Sequence, residues 1–150
     1  MTTFQPADPG YAQRVRRSFE RQTFGATMGA TLARVEPGEV DVALPFGPGL
    51  AQQHGYLHGG VTAAIADMAC GFAALSLMPA AAAVLTVEFK VNMLSPGLGE
   101  RFTARGRVVK AGQSLMVTSC EVVAHRAGAE RPVALMQATM MVVKGRGIAD

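Results

Sequence analysis

Charge is what this sequence has least of. Lys, Arg, Asp and Glu make up 17% of its 150 residues, and from Val42 to Val87 the only formally charged side chain is Asp67. The net charge is only +3. The densest basic cluster, "RVRRSFER" at 14–21, is short and helical in pattern and reads as a solvated helix face. Nucleic acid is therefore not an expected partner, since its binders show clustered Lys and Arg. Cysteine is scarce as well. Cys70 and Cys120 lie in apolar runs without CxxC spacing, which excludes a disulfide scaffold and points to reduced core residues in a cytoplasmic protein. No metal site is expected, because His54 and His58 form the only close pair and no Cys or carboxylate accompanies them. The N-terminus has no apolar h-region and so does not read as a signal peptide. Val61 to Leu85 is apolar enough to suggest a membrane span, but it is rich in alanine and contains Asp67 and Pro79. A carboxylate at the bilayer centre is unfavourable by roughly 2.5 to 3.5 kcal/mol, so the stretch reads as a buried helix and no membrane partner is expected.

What is present is enough to fold. Hydrophobic residues make up 49%, and 150 residues suggest one domain over 1–150 with a real core. Residues 11–23 pattern as an amphipathic helix with Val15, Phe19 and Gln22/Thr23 on one side. Pro37-Gly38 marks a hairpin turn between alternating segments. From about Gly59 to Met78 the length favours one helix, which Pro79 stops. Four strands follow: "VLTVEFKVNML", "RFTARGRVVK", "LMVTSCEVVAHR" and, after the turn "AGAERP", "VALMQATMMVVK". Alternation in the first sets Val87, Phe89, Val91 and Met93 on one face and Thr86, Glu88, Lys90 and Asn92 on the other. The expected class is α+β, an antiparallel sheet with a single hydrophobic helix to bury.

On that helix the neighbours of Asp67 at three, four and seven residues are Gly60, Ala63, Ala64, Cys70, Gly71 and Ala74. All are small. The bulky Val61, Ile65, Met68, Phe72 and Leu75 take the opposite side as core. A bulk-free face around a lone carboxylate implies close approach by a backbone, a second subunit or a ligand. At the helix start, "HGG" leaves first-turn amides able to polarise a carbonyl oxygen. A carbonyl at Gly59 and Gly60 with a carboxylate two turns on is a workable acyl-transfer arrangement. His58 is placed at or just before the cap, and Gln52 and Gln53 are loop amides able to donate and accept. No GxSxG, GxGxxG or Walker pattern is present.

"HGYLHGGVTAAIADMACGFAALSLMP" followed by "LTVEFKVNMLSPGLGE" resembles the PaaI-like (phenylacetate-pathway type) hotdog-fold acyl-CoA thioesterases. The resemblance implies a curved antiparallel sheet wrapped around one long central helix, with an N-terminal helix in addition here. It implies a homodimer or homotetramer with each active site at a subunit interface. The family's acidic residue falls on Asp67, as general base or nucleophile, and its carbonyl-polarising amide on Gly59, with His58 beside it. A loop Asn of many members falls on Gln52, with Gln53 the neighbouring candidate, and a strand hydroxyl falls on Thr86. Acyl-CoA is the implied substrate and no separate cofactor is needed. Lys110, Arg107 and the turn "KAGQS" with Gly112 are candidates for the nucleotide phosphates. Two other readings stand beside this one: a non-catalytic acyl-CoA-binding hotdog module, and a hotdog hydratase or dehydratase, whose His–Asp spacing His58 and Asp67 match less well.

Overall fold

The computed structural model describes residues 4–148 and 150. Two N-terminal helices, α1 (Tyr11–Arg21) and α2 (Thr23–Met28), precede a hairpin of β1 (Thr31–Glu36) and β2 (Glu39–Pro45). A loop containing one 3-10 turn leads to the long helix α3 (Gly59–Leu75), and then come β3 (Ala82–Met93), β4 (Arg101–Ala111), β5 (Leu115–Arg126) and β6 (Ala129–Lys144). The six strands form one antiparallel sheet in the order β1-β2-β4-β5-β6-β3. α3 packs against β2 to β6. Its Ile65, Met68, Phe72 and Leu75 are buried as expected, and so are Cys70 and Ala74 of the small-residue stripe. Gly60, Ala63, Ala64, Asp67 and Gly71 remain the less covered part.

Helix and sheet approach closely at Gly106 of β4. A Cβ there would lie 2.3 Å from the carbonyl carbon and oxygen of Ala69, a contact no packed structure tolerates. The glycine therefore sets how deeply α3 sits in the sheet.

Four expectations are corrected. Residues 11–23 do not form one helix: the chain kinks at Gln22 (φ −81°, ψ 92°), and α2 follows as a separate short helix. The basic cluster is not wholly solvated. Arg14 is buried, and its guanidinium donates to the carbonyls of Leu75 (2.9 Å), Met78 (2.6 Å) and Pro79 (2.5 Å). It thus caps the end of α3, with Asp8 3.4 Å away as counter-charge. The turn before β6 is only Ala127-Gly128, both at positive φ, so the strand begins at Ala129. Pro132, which has no N–H to give the ladder, sits at the register shift opposite Val123.

The alternation in β3 also breaks. Thr86 pairs with Met140, but Glu88 pairs with Thr139, so Val87 is bulged. A bulge of one residue reverses which face the following side chains take. Thr86 therefore shares a face with the buried Met140, and Glu88 and Lys90 share the opposite face with Thr139 and Gln137.

Gly106→Ala should lower unfolding stability by at least about 3 kcal/mol in a urea titration, since the clash is with backbone and α3 must move. A loss below about 1 kcal/mol would mean that the helix is not held by this contact.

Candidate active site

Asp67 lies on the exposed side of α3, facing the edge strand. Its Oδ1 accepts a 2.8 Å hydrogen bond from the Thr86 hydroxyl. The Val87 bulge makes that contact possible, and the uninterrupted alternation read from sequence placed Thr86 on the other face. Burial pushes the Asp67 carboxyl above the ordinary carboxylate range, and the Thr86 hydrogen bond partly opposes that rise. Around the pair lies a cavity of about 170 Å³ lined by Gln22, Asp67, Met68, Gly71, Phe72, Val84, Leu85 and Thr86.

The N-terminus of α3 is organised by His58, whose extended backbone (φ −61°, ψ 137°) and Nδ1 cap the helix. Nδ1 accepts from the Gly60 amide at 2.8 Å, and the His58 carbonyl accepts from Val61 and Thr62. The Gly59 amide donates to no acceptor among the described residues. Of the two glycines read from sequence, Gly59 alone keeps a donor for a ligand, since the Gly60 amide is taken by His58. Gly59 lines a second cavity of about 510 Å³, together with Gln52, Tyr56, Leu57, Thr62, Met93 and the Leu94–Gly97 turn. Gln52 is half-buried here, and its side-chain oxygen accepts a turn-closing hydrogen bond from the His54 amide. Gln53 is exposed and lines neither cavity. Geometry therefore separates two residues that the sequence left equivalent.

Lys110 and Gly112 are not brought to either cavity. The row Thr86–Met140–Met116–Ala111 runs across β3, β6, β5 and β4, so the Gly112 turn is at the same end of the sheet as Asp67 but three strands away, about 14 Å at usual spacing. Gly112 itself closes the hairpin by donating to Leu115 (3.1 Å), and a Cβ there would lie 2.3 Å from that same carbonyl. Arg107 is engaged by Asp41 at 2.6 Å and Glu39 at 3.7 Å on the outer face of the sheet. Three residues of the Asp67 cavity had no signal as site residues in the sequence: Val84 and Leu85, read only as part of a strand, and Gln22, read only as part of an amphipathic face.

Comparison with known proteins agrees with this architecture. A family model described as the thioesterase superfamily matches residues 54–127. A solved thioesterase family protein from Silicibacter pomeroyi is 51% identical, with a TM-score of 0.90, over 91% of this chain and 100% of that one. The PaaI protein of Escherichia coli superposes with a TM-score of 0.81 over 93% of this chain and 97% of that one; at 20% identity the likeness is one of fold. A putative esterase of Saccharolobus solfataricus is 33% identical over 87 residues, and the match spans 61% of that relative's length. The fold is a hotdog, a sheet wrapped around one helix. The chain belongs to the thioesterase superfamily.

No helix among the described residues is long and apolar enough to cross a membrane. The raised Asp67 carboxyl has a signed consequence for stability. Its folded value exceeds the unfolded one, so its proton-linked stabilisation is complete below the unfolded value near ~3.9 and is lost as pH rises through the folded value. Asp67→Asn stays neutral and should melt at or above the wild-type temperature at pH 7. A clear drop in melting temperature would make the carboxylate a stabilising group. In Thr86→Val the opposing hydrogen bond is gone, so the Asp67 carboxyl should titrate at higher pH than in wild type, followed by its carboxyl carbon chemical shift.

Proposed function

We propose that the protein is an acyl-CoA thioesterase, in which Asp67 is the general base or nucleophile and the Gly59 amide polarises the thioester carbonyl. The observation that carries this reading is the pairing of an unengaged first-turn amide with a lone, hydrogen-bonded, partly desolvated carboxylate on one helix. Family membership supports thioester chemistry, and the likeness of "HGG" plus Asp67 to PaaI-like enzymes supports coenzyme A as the thiol. The carbonyl oxygen would accept from the Gly59 N–H, which strengthens as negative charge develops. Ionised Asp67, oriented by Thr86, would attack the carbonyl carbon or take a proton from the attacking water. Collapse of the tetrahedral species then expels the thiolate of coenzyme A; on the water route this gives the free acid directly, and on the nucleophilic route water then hydrolyses the Asp67 acyl anhydride to release it. Gln52, whose oxygen is engaged by the His54 amide, would donate from its side-chain NH2 to the carbonyl or the water.

Geometry within one chain argues that the site is shared between two copies. Gly59 and Asp67 are eight residues apart on one helix, or about 12 Å along its axis, and they line different cavities. No single thioester reaches both at bonding distance. Two α3 helices packed antiparallel about a two-fold axis would set Gly59 of one copy against Asp67 of the other, with the axis beside Ala63. The bulk-free positions Gly60, Ala63, Ala64 and Gly71 suit that approach. The edge strand β3 also carries Leu85, Val87, Phe89 and Met93 at 44–51% exposure, and an apolar, unpaired edge invites a partner strand. A homodimer, alone or paired into a tetramer, and a cytoplasmic setting go with this reading.

The test is thiol release from aryl- and fatty-acyl-CoAs by wild type and by Asp67→Asn, which should lose about a hundredfold or more. Binding without thiol release would favour the acyl-CoA-binding module instead. The shared site has its own test. Gly59→Pro removes only the N–H, and proline suits the first helical position after an extended His58. Mixing two inactive variants, Asp67→Asn and Gly59→Pro, through co-refolding should restore about a quarter of wild-type activity if sites are formed between two-fold-related copies. No restoration would place both residues in the same chain's site.

A further inference from the structure

Cys70 and Cys120 take no part in the chemistry proposed above, yet the fold brings their side chains together behind Asp67. Cys70 stands one turn beyond Asp67 on α3, and Cys120 belongs to β5. Their meeting point is set by Gly106. Cys120 is its cross-strand partner, and a Cβ on Gly106 would lie 2.3 Å from the Ala69 carbonyl and 2.8 Å from the Cys70 amide nitrogen. The missing side chain lets the Cys70 turn of the helix settle on β4 beside Cys120. Both cysteines are sealed from solvent, at 0% and 2% exposure, and their thiols hydrogen-bond to each other. With Cys120 as donor, the bond holds the Cys70 thiol below its ordinary value against the effect of burial, and it pushes the Cys120 thiol well above its own. The pair is therefore already divided into an incipient thiolate and a proton donor. Two apolar side chains would fill the same space. What two touching thiols add is the capacity to lose two electrons together.

We propose that Cys70 and Cys120 form a redox modification site, at which a hydroperoxide closes an intramolecular disulfide that ties α3 to β5 and turns the enzyme off. In the first step the Cys70 thiolate attacks the terminal peroxide oxygen. The O–O bond breaks, Cys70 becomes a sulfenic acid, and the departing alkoxide takes up the proton that Cys70 gave to solvent. Cys120 then attacks the Cys70 sulfur. The S–S bond forms as the S–O bond breaks, and hydroxide leaves with the Cys120 proton as water. The two thiols together lose two electrons to the peroxide, and a dithiol reductant returns them. Burial makes the reaction wait on local separation of helix and sheet, so the site responds to sustained exposure to oxidant. Asp67 is where the bond is felt. A disulfide draws its sulfurs to about 2.05 Å, well inside the contact distance of two thiols. Helix and strand backbone already meet at Gly106, so α3 has no room to sink further and must turn or slide. Asp67 moves with it, against a 2.8 Å hydrogen bond to Thr86 on β3. The loss of activity rests on the thioesterase reading; the disulfide does not.

The experiment exposes the folded protein to hydrogen peroxide and blocks free thiols with N-ethylmaleimide in denaturant. Peptide masses and thiol release from acyl-CoAs are read before and after dithiothreitol. In wild type the Cys70 and Cys120 peptides should be recovered joined, lighter by two hydrogen atoms than their sum and carrying no maleimide. kcat should fall by about tenfold or more, since small displacements at a reacting group are costly, and dithiothreitol should restore it. Methionine sulfoxide needs a dedicated reductase, so recovery with dithiothreitol assigns the loss to the disulfide. Cys120→Ala should keep wild-type activity before oxidation and escape the reversible loss, with Cys120→Val in its place if Cys120→Ala does not fold. Two maleimide-labelled cysteines after peroxide overturn the proposal, as do sulfinic acids in place of the joined peptides, or a link between chains. A disulfide that leaves kcat unchanged overturns the switch. Failure of the reduced protein on every thioester overturns the thioesterase reading, while the peptide masses still decide the disulfide.

Discussion

A 2.8 Å hydrogen bond from the Thr86 hydroxyl to the Asp67 carboxylate joins the central helix to the edge of the sheet, and most of the functional geometry depends on it. A carboxylate facing an apolar edge strand needs a donor to stay ionised. The bulge at Val87 supplies one by turning Thr86 toward the helix. The same bulge leaves Phe89, Val91 and Met93 on the helix side of the sheet, where Met93 reaches the Gly59 end of α3 and Phe89 and Met93 remain partly open. One inserted residue therefore orients the Asp67 carboxylate and also leaves apolar surface open along the edge strand. The scarcity of charge from Val42 to Val87 is consistent with this, since every other charge near the pair would compete for the hydroxyl or shift the carboxyl further.

The parts of the fold governed by local rules were legible in the sequence. Pro37-Gly38 gives the first hairpin because the turn needs positive φ at Gly38 (76°). The run from Gly59 becomes a helix because its small and bulky residues segregate at helical spacing. What escaped reading depended on partners distant in sequence. Arg14 looks like a surface cation until the carbonyls of Leu75, Met78 and Pro79 come within reach of it. "AGAERP" looks like one long turn, but Glu130 is held by Arg105 at 2.7 Å, and Pro132 sits where the ladder shifts.

The candidate site divides in the same way. Asp67, Gly59 and His58 sit on a single helix and its cap, so spacing puts them on one element, whereas the fold sends Gly59 and Asp67 of one chain to different cavities. Thr86 was assigned to the wrong face because strict alternation has no way to register the extra residue at Val87 between Thr86 and Glu88. Gln52 and Gln53 are chemically identical, and only the fold of the Gln52–Gly55 turn, closed by the Gly55 amide on the Gln52 carbonyl at 3.0 Å, sends one to the cavity and the other to solvent. Gln22 carried no signal, because a glutamine on an amphipathic helix is ordinarily a solvated residue. Its environment is decided by a kink between two helices that periodicity merges into one.

The two ends of α3 are treated unequally, and the inequality bears on function. The helix has no acidic residue in its first turn and no basic residue in its last, so its own sequence does nothing to offset its dipole. At the C-terminal end the compensation is imported: the buried Arg14 guanidinium of α1 binds the terminal carbonyls. At the N-terminal end the His58 cap satisfies one amide, that of Gly60, and brings no negative charge. An acid in the first turn would have stabilised the helix and, under the proposed function, would also have opposed negative charge developing on a thioester oxygen. Placing the stabilising charge at the far end keeps α3 anchored to α1 and leaves the Gly59 amide unengaged, as that proposal requires.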